Sequence, residues 1–203
     1  MAIISYPALT RRPSRMSWGY VDTTEHHISP ANQVVQTAIR RGDYWKASVN
    51  YINLQGRDTD LLEAFLATLQ GMVNSFLLVD YSRAIPQGPA TWVTTPKMTS
   101  GASVDDTLLD TDGWTPSISG IIKAGDRVQA GNQFFACIQD ASSTPAGEAS
   151  ILISPMVKEA IAISAPVTVH NAACHMRLDK GSVRWKKRGI SMDCSFSCHE
   201  SFY

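Results

Sequence analysis

A chain of 203 residues is long enough for one large domain or two small ones, each with its own core. Hydrophobic residues make up 44% and charged residues 18%, and 18 basic side chains balance 18 acidic ones. That balance excludes a bulk electrostatic attraction to nucleic acid or an anionic membrane, and a charge-poor surface tilts the reading toward a subunit of an assembly.

The opening MAIISYPALTRRPSR lacks the basic stretch followed by a long apolar run of a secretory signal. No window approaches about 18 consecutive apolar residues. The expectation is a soluble protein made in a cytoplasm, with no membrane partner. Arg11, Arg12 and Arg15 near Trp18, and Arg184 with Lys186, Lys187 and Arg188 near Trp185, form small basic runs, read as solvated turns or inter-subunit ion pairs rather than sequence-specific nucleic-acid contacts. His26 and His27, after Glu25 and before Ser29-Pro30, read as a solvated loop, with metal binding as the alternative.

Gln33–Ile39 and Tyr44–Leu54 flank Arg41-Gly42-Asp43. In the second run Trp45, Ala47, Val49 and Tyr51 alternate with Lys46, Ser48 and Asn50, which predicts a half-buried hairpin. The tripeptide invites an adhesion reading, but Gly and Asp suit the backbone of a tight turn. Next, Leu61, Leu62, Phe65, Leu66 and Leu69 fall on one stripe of a 3.6-residue period. They predict an amphipathic helix over 58–70, with Asp58 and Thr59 as capping residues and Gly71 as its stop. Phe76–Val79 follows as an apolar strand.

Ala84–Asp106, rich in Pro, Gly, Ser and Thr, reads as a linker or flexible loop. Asp105, Asp106, Asp110 and Asp112 read as turn residues, with Ca²⁺ binding as the alternative, although they lack the EF-hand spacing. From Asp112 to Pro155 turn signals at Gly113-Trp114, Gly125-Asp126, Gly131-Asn132 and Gly147 separate apolar runs at Ile118–Ile122, Val128, Phe134–Ile138 and Ile151–Ile153. Short strands so punctuated predict a small β-roll or barrel.

At the end, Val183 and Trp185 precede a turn at Lys187-Arg188-Gly189. Ile190, Met192, Cys194, Phe196, Cys198 and Phe202 then alternate with polar residues, the cleanest two-residue period in the chain. The predicted fold is mainly β, sandwich- or split-barrel-like with one amphipathic helix. A discontinuous domain over 1–88 and 168–203 carries an inserted β domain over 89–167.

Cys174, His175, Cys194 and Cys198 form the one candidate metal or iron–sulfur set. On a strand, Cys194 and Cys198 stand roughly 13 Å apart, too far to share a metal. The favoured reading makes these thiols, with Cys137, small core hydrophobes; a metal site or a disulfide of Cys174 with a strand partner are the alternatives. No G-x-S-x-G, H-E-x-x-H, Walker A or G-x-G-x-x-G occurs, so neither enzyme activity nor a cofactor is expected.

The order of these signals is itself informative. An N-terminal Pro with an aromatic strand, a Trp-bearing hairpin and the helix come first. Asp112-Gly113-Trp114, Lys123-Ala124-Gly125-Asp126, Gly131-Asn132-Gln133-Phe134, Gly147 with Ala149 and Ile151, and Pro155 follow, before a strand ending Ser195-Phe196-Ser197-Cys198-His199-Glu200. Over nearly its whole length the chain resembles the distal tail protein of long-tailed bacteriophages of the siphovirus type and of related tail-like particles. The resemblance implies a structural protein of the virion tail tip: a ring, expected to be a hexamer, joining the tail tube protein to the hub and tip proteins of the baseplate. It implies a frame for the channel through which the tape-measure protein and DNA pass, and an outward β domain able to contact neighbouring proteins or host-surface glycans. The alternatives are a metal- or iron–sulfur-containing tail-hub subunit and a carbohydrate-binding module. The N-terminal arm before Pro13 and the C-terminal strand are the expected edge or swapping elements.

Overall fold

The computed structural model describes residues 2–30, 32–38 and 42–202. Strands hold 45% of the described residues and helix 8%, which makes the fold mainly β, as the alternating patterns predict. The chain divides into two compact units, Met1–Ser75 with Met176–Tyr203, and Phe76–His175. It passes from the first to the second within one strand and returns within another.

The first unit opens with β1 (Ile3–Ile4), β2 (Arg15–Val21), β3 (Glu25–Ile28), β4 (Val35–Ala38), β5 (Tyr44–Leu54) and helix α1 (Arg57–Thr68). After the crossing strand β6 (Ser75–Val79), the second unit holds β7 (Trp92–Met98), β8 (Leu108–Trp114), β9 (Arg127–Ala130), β10 (Gln133–Cys137), β11 (Ala149–Ser154) and β12 (Val167–Thr168). The returning strand β13 (Ala173–Leu178) leads to β14 (Arg184–Arg188) and β15 (Ser191–Glu200).

The predicted hairpin of residues 33–39 with 44–54 does not form. β5 pairs with β2 on one side (Trp18↔Ala47, Tyr20↔Trp45) and with β15 on the other (Phe196↔Val49, Cys198↔Ala47). β4 pairs instead with β3 in a separate two-stranded sheet (His26↔Thr37, Ile28↔Val35). The buried row of β5, Trp45, Ala47, Val49 and Tyr51, needs apolar neighbours on its own face, and Trp18, Phe196 and Cys198 supply them. The described side chains of β4, Val35, Gln36 and Thr37, are all exposed. Arg41, in the expected turn, lies outside the described residues, as does Ile39.

β15 is an interior strand rather than an edge. β5 lies along one side, while β13 (Leu178↔Cys198) and β14 (Trp185↔Cys194) share the other. Its expected apolar face holds for Cys194, Phe196 and Cys198, all buried. Ile190 departs from it: Arg188↔Ser191 closes a two-residue turn, Gly189 takes φ 61, and Ile190 is 90% exposed. The N-terminal arm is not free either. Tyr6 meets the Tyr51 hydroxyl at 2.9 Å and packs edge-on against Phe65, and the Thr10 N–H donates to Asp58.

Helix α1 buries Leu62, Phe65, Leu66 and Leu69, the predicted stripe, with Leu61 half-buried. Its N-cap is Gly56, and no side chain caps it. Asp58, one of the expected caps, is turned to Thr10, and Thr59 lies inside the helix.

In the second unit six antiparallel strands run in the order β12-β9-β10-β11-β8-β7. A bridge between Lys97 and Pro166 brings β7 back against the segment entering β12, so the sheet is a nearly closed barrel. Leu109, Trp114, Val128, Phe135, Ile151 and Val167 belong to its core. Two expectations are corrected. Ala84–Asp106 is no loose linker: it contains β7, and Ala90, Met98 and Ala102 join the barrel core. Ile118–Ile122 is not a strand, because Ser117 (φ 57) and Gly120 (φ 61) break the extended backbone; Ile121 and Ile122 are buried nonetheless. Gly131-Asn132 forms the expected two-residue turn between β9 and β10, with Ala130↔Gln133 as its closing pair.

Candidate functional site

All four cysteines are buried, and none is in a disulfide. Cys194 and Cys198 share the inner face of β15, with Tyr51 and Ala47 opposite them on β5. The Cys137 thiol donates to the Gln139 carbonyl at 2.9 Å. Burial pushes the Cys194 thiol up to about 12 and pushes Cys137 and Cys198 up as well, so the reactive thiolate is suppressed. Cys174 and His175 close the second unit, and burial holds His175 below the ordinary histidine range. Among the described residues no group of three or more His, Cys, Asp or Glu side chains is placed to hold a metal ion.

The remaining polar candidates are engaged in local structure. His26 and His27 lie on β3 rather than in a loop; both are exposed and stand opposite Thr37 and Gln36. Asp43 accepts hydrogen bonds from the Tyr20 hydroxyl at 2.6 Å and from the N–H of Thr23 at 2.9 Å, so its carboxylate shapes the chain between β2 and β5. Asp106 accepts the Ser103 N–H at 2.6 Å, Asp110 accepts the Ser150 hydroxyl at 2.6 Å, and Asp112 faces Lys97. These are turn and cross-strand contacts; Asp105, Asp106 and Asp110 line one open pocket, but among the described residues no three acidic groups are placed to hold a metal ion.

Arg127 and Asp80 form a buried ion pair at 3.4 Å in the second unit. Asp80 also caps the 3-10 turn Tyr81–Arg83 through the Ser82 N–H, and the Arg127 guanidinium stacks 5.8 Å from the Phe134 ring centre. Burial and nearby Arg83 lower the affinity of Arg127 for its proton, and Asp80 opposes both. The pair anchors the Tyr81–Arg83 turn to the barrel strand that carries Arg127.

What remains is surface. The ribbon β3–β4 exposes Ile28, Val34 and Val35, each more than half accessible. Ser29 and Val34 close it, the Ser29 N–H donating to the Val34 carbonyl at 3.0 Å. The sequence reading missed this element, although Ile28 and Val34-Val35 bracket turn residues at Ser29-Pro30 and Asn32. In the second unit, core burial removes Phe134 and Phe135 as a sugar platform; the exposed aromatic is Trp92, 44% accessible, with His170 edge-on at 5.3 Å. On the first unit Arg184, Lys186, Arg188, Asn50 and Ser195 line a groove of about 700 Å³.

No protein-family model matches the sequence, and no curated protein is similar to it.

Proposed function

We propose that this protein is a structural subunit of a phage tail tip, forming a ring of six copies that joins the tail tube to the hub and tip proteins of the baseplate. What carries the reading is the order of turn and strand signals over nearly the whole chain, which resembles distal tail proteins. The mainly β fold with its central unit spliced between strands of the outer one is the architecture such a resemblance implies. Supporting it further, the ribbon β3–β4 places Ile28, Val34 and Val35 in water. A two-stranded ribbon is marginal alone, and clustered exposed apolar side chains mark contact surfaces. In a ring each subunit presents such a surface to a different surface of its neighbour.

The work of such a subunit is mechanical. A closed ring supplies a rigid frame with a central passage, one face for the tube and one for the hub, and the tape-measure protein and DNA pass through it. The exposed Trp92 with His170 supports contact between the second unit and host-surface glycans as an added role. Negative-stain microscopy of the purified protein tests the assembly: closed rings of uniform diameter are expected, and single particles alone, even when tail tubes are added, would count against it.

A further inference from the structure

We propose that the open edge and outer face of β14 form a docking strip for an extended acidic segment of a partner protein. β14 reads Arg184-Trp185-Lys186-Lys187-Arg188, pairs with β15 alone among the described residues, and presents four exposed cations. Arg184, Lys186 and Arg188 share a face at a spacing of about 6.7 Å, the repeat of alternate side chains on any strand. That face continues across the sheet through the register Arg184↔Ser195, Ser195↔Asn50 and Asn50↔Arg15, so two donors lie between two arginines. Arg188 is paired to Asp193 at 2.9 Å; Arg184, Lys186 and Lys187 have no ion-pair partner among the described residues.

Three comparisons decide the occupant. A second copy of β14 laid along the same edge would set like charges opposite each other, which is destabilising. Asp110 and Asp112, which alternate on one strand of this chain, lie on β8, already paired on both sides. A nucleic acid could use only the cations, whose number is small against the roughly 6–10 phosphate contacts of a strong site. An extended peptide uses everything present: alternate residues of β14 turn N–H and C=O groups outward for a new strand, while acidic side chains meet Arg184 and Lys186. Cations on an edge strand also ward off neutral strands, so the same residues that prevent aggregation select an acidic partner. The inference goes beyond the ring and stands whether or not one forms.

The test uses the full chain and a short fluorescent peptide alternating Glu with Thr, its Gln-for-Glu counterpart, and a single-stranded oligonucleotide of equal charge. The Glu peptide is expected to bind, to weaken with added salt, and to lose about tenfold or more in affinity in Arg184→Glu with Lys186→Glu. In the unaltered protein it is expected to slow hydrogen exchange over residues 184–188. Equal binding of the Gln peptide, tighter binding of the oligonucleotide, unchanged affinity in a charge-reversed variant that keeps its circular dichroism, or no binding of the Glu peptide would each overturn the proposal.

Discussion

Glu200 accepts the backbone N–H of Trp45 at 3.1 Å across 155 positions of sequence, and both residues are buried. The bond ties the last strand of the first unit to a strand laid down before the second unit begins. Replacing Glu200 with Ala leaves a buried N–H without this acceptor and is expected to cost about 1–3 kcal/mol in urea unfolding. Glu200→Gln keeps an acceptor oxygen and is expected to cost less.

Arg127 and Asp80 are 8% and 3% exposed as side chains, so removing one strands the other charge. Either Arg127→Met or Asp80→Asn is expected to destabilise the second unit by about 3–5 kcal/mol, with a double replacement costing less than the sum. A double-mutant cycle by thermal or urea unfolding checks this.

Gly147 has φ 81, and a Cβ there would stand 2.6 Å from the Trp114 carbonyl oxygen. Gly147→Ala is therefore strained twice, by backbone conformation and by contact, and is expected to cost more than about 2 kcal/mol. A Gly181→Ala control, also at positive φ (64) but with nothing within 4 Å of its Cβ, is expected to cost less in the same assay.

His175 has its proton affinity lowered by burial. Because the folded value lies below the unfolded one, the unfolded state binds more protons in between, and stability falls as pH drops below about 6.5. Cys194 and Cys198, pushed the other way, have the opposite sign: their contribution is present at neutral pH and is lost above about 8.5 as the unfolded thiols ionise. His175→Asn is expected to flatten the acid side of a stability–pH curve without changing the alkaline side. In the native protein all four thiols are expected to resist a thiol reagent that labels them at once in guanidinium.

Where periodicity was strong, the elements were legible in the sequence. The alternation over Met192–Cys198 and the stripe Leu62, Phe65, Leu66 and Leu69 each announced a buried face. Pairing was not legible, because β5 takes partners that lie far from it in the chain, and local pattern carries no information on distant strands. β8 was hidden by its own Gly113-Trp114, read as a turn, where the glycine takes φ 93 inside the strand. β3 and β4 were hidden because their described side chains, from Glu25 to Ile28 and from Val35 to Thr37, are all exposed. The cationic strand β14 was visible as a basic run, but its open edge depended on knowing that β15 is the one described strand laid against it.

The measurement that bears most directly on the tail-tip reading is the solution mass of the purified protein by light scattering over a range of concentrations, alone and with tail tubes. A discrete species of about six subunits, reduced to a monomer by Val35→Asp on the exposed ribbon, is the predicted result. A monomer at every concentration that also fails to join the tubes would contradict it.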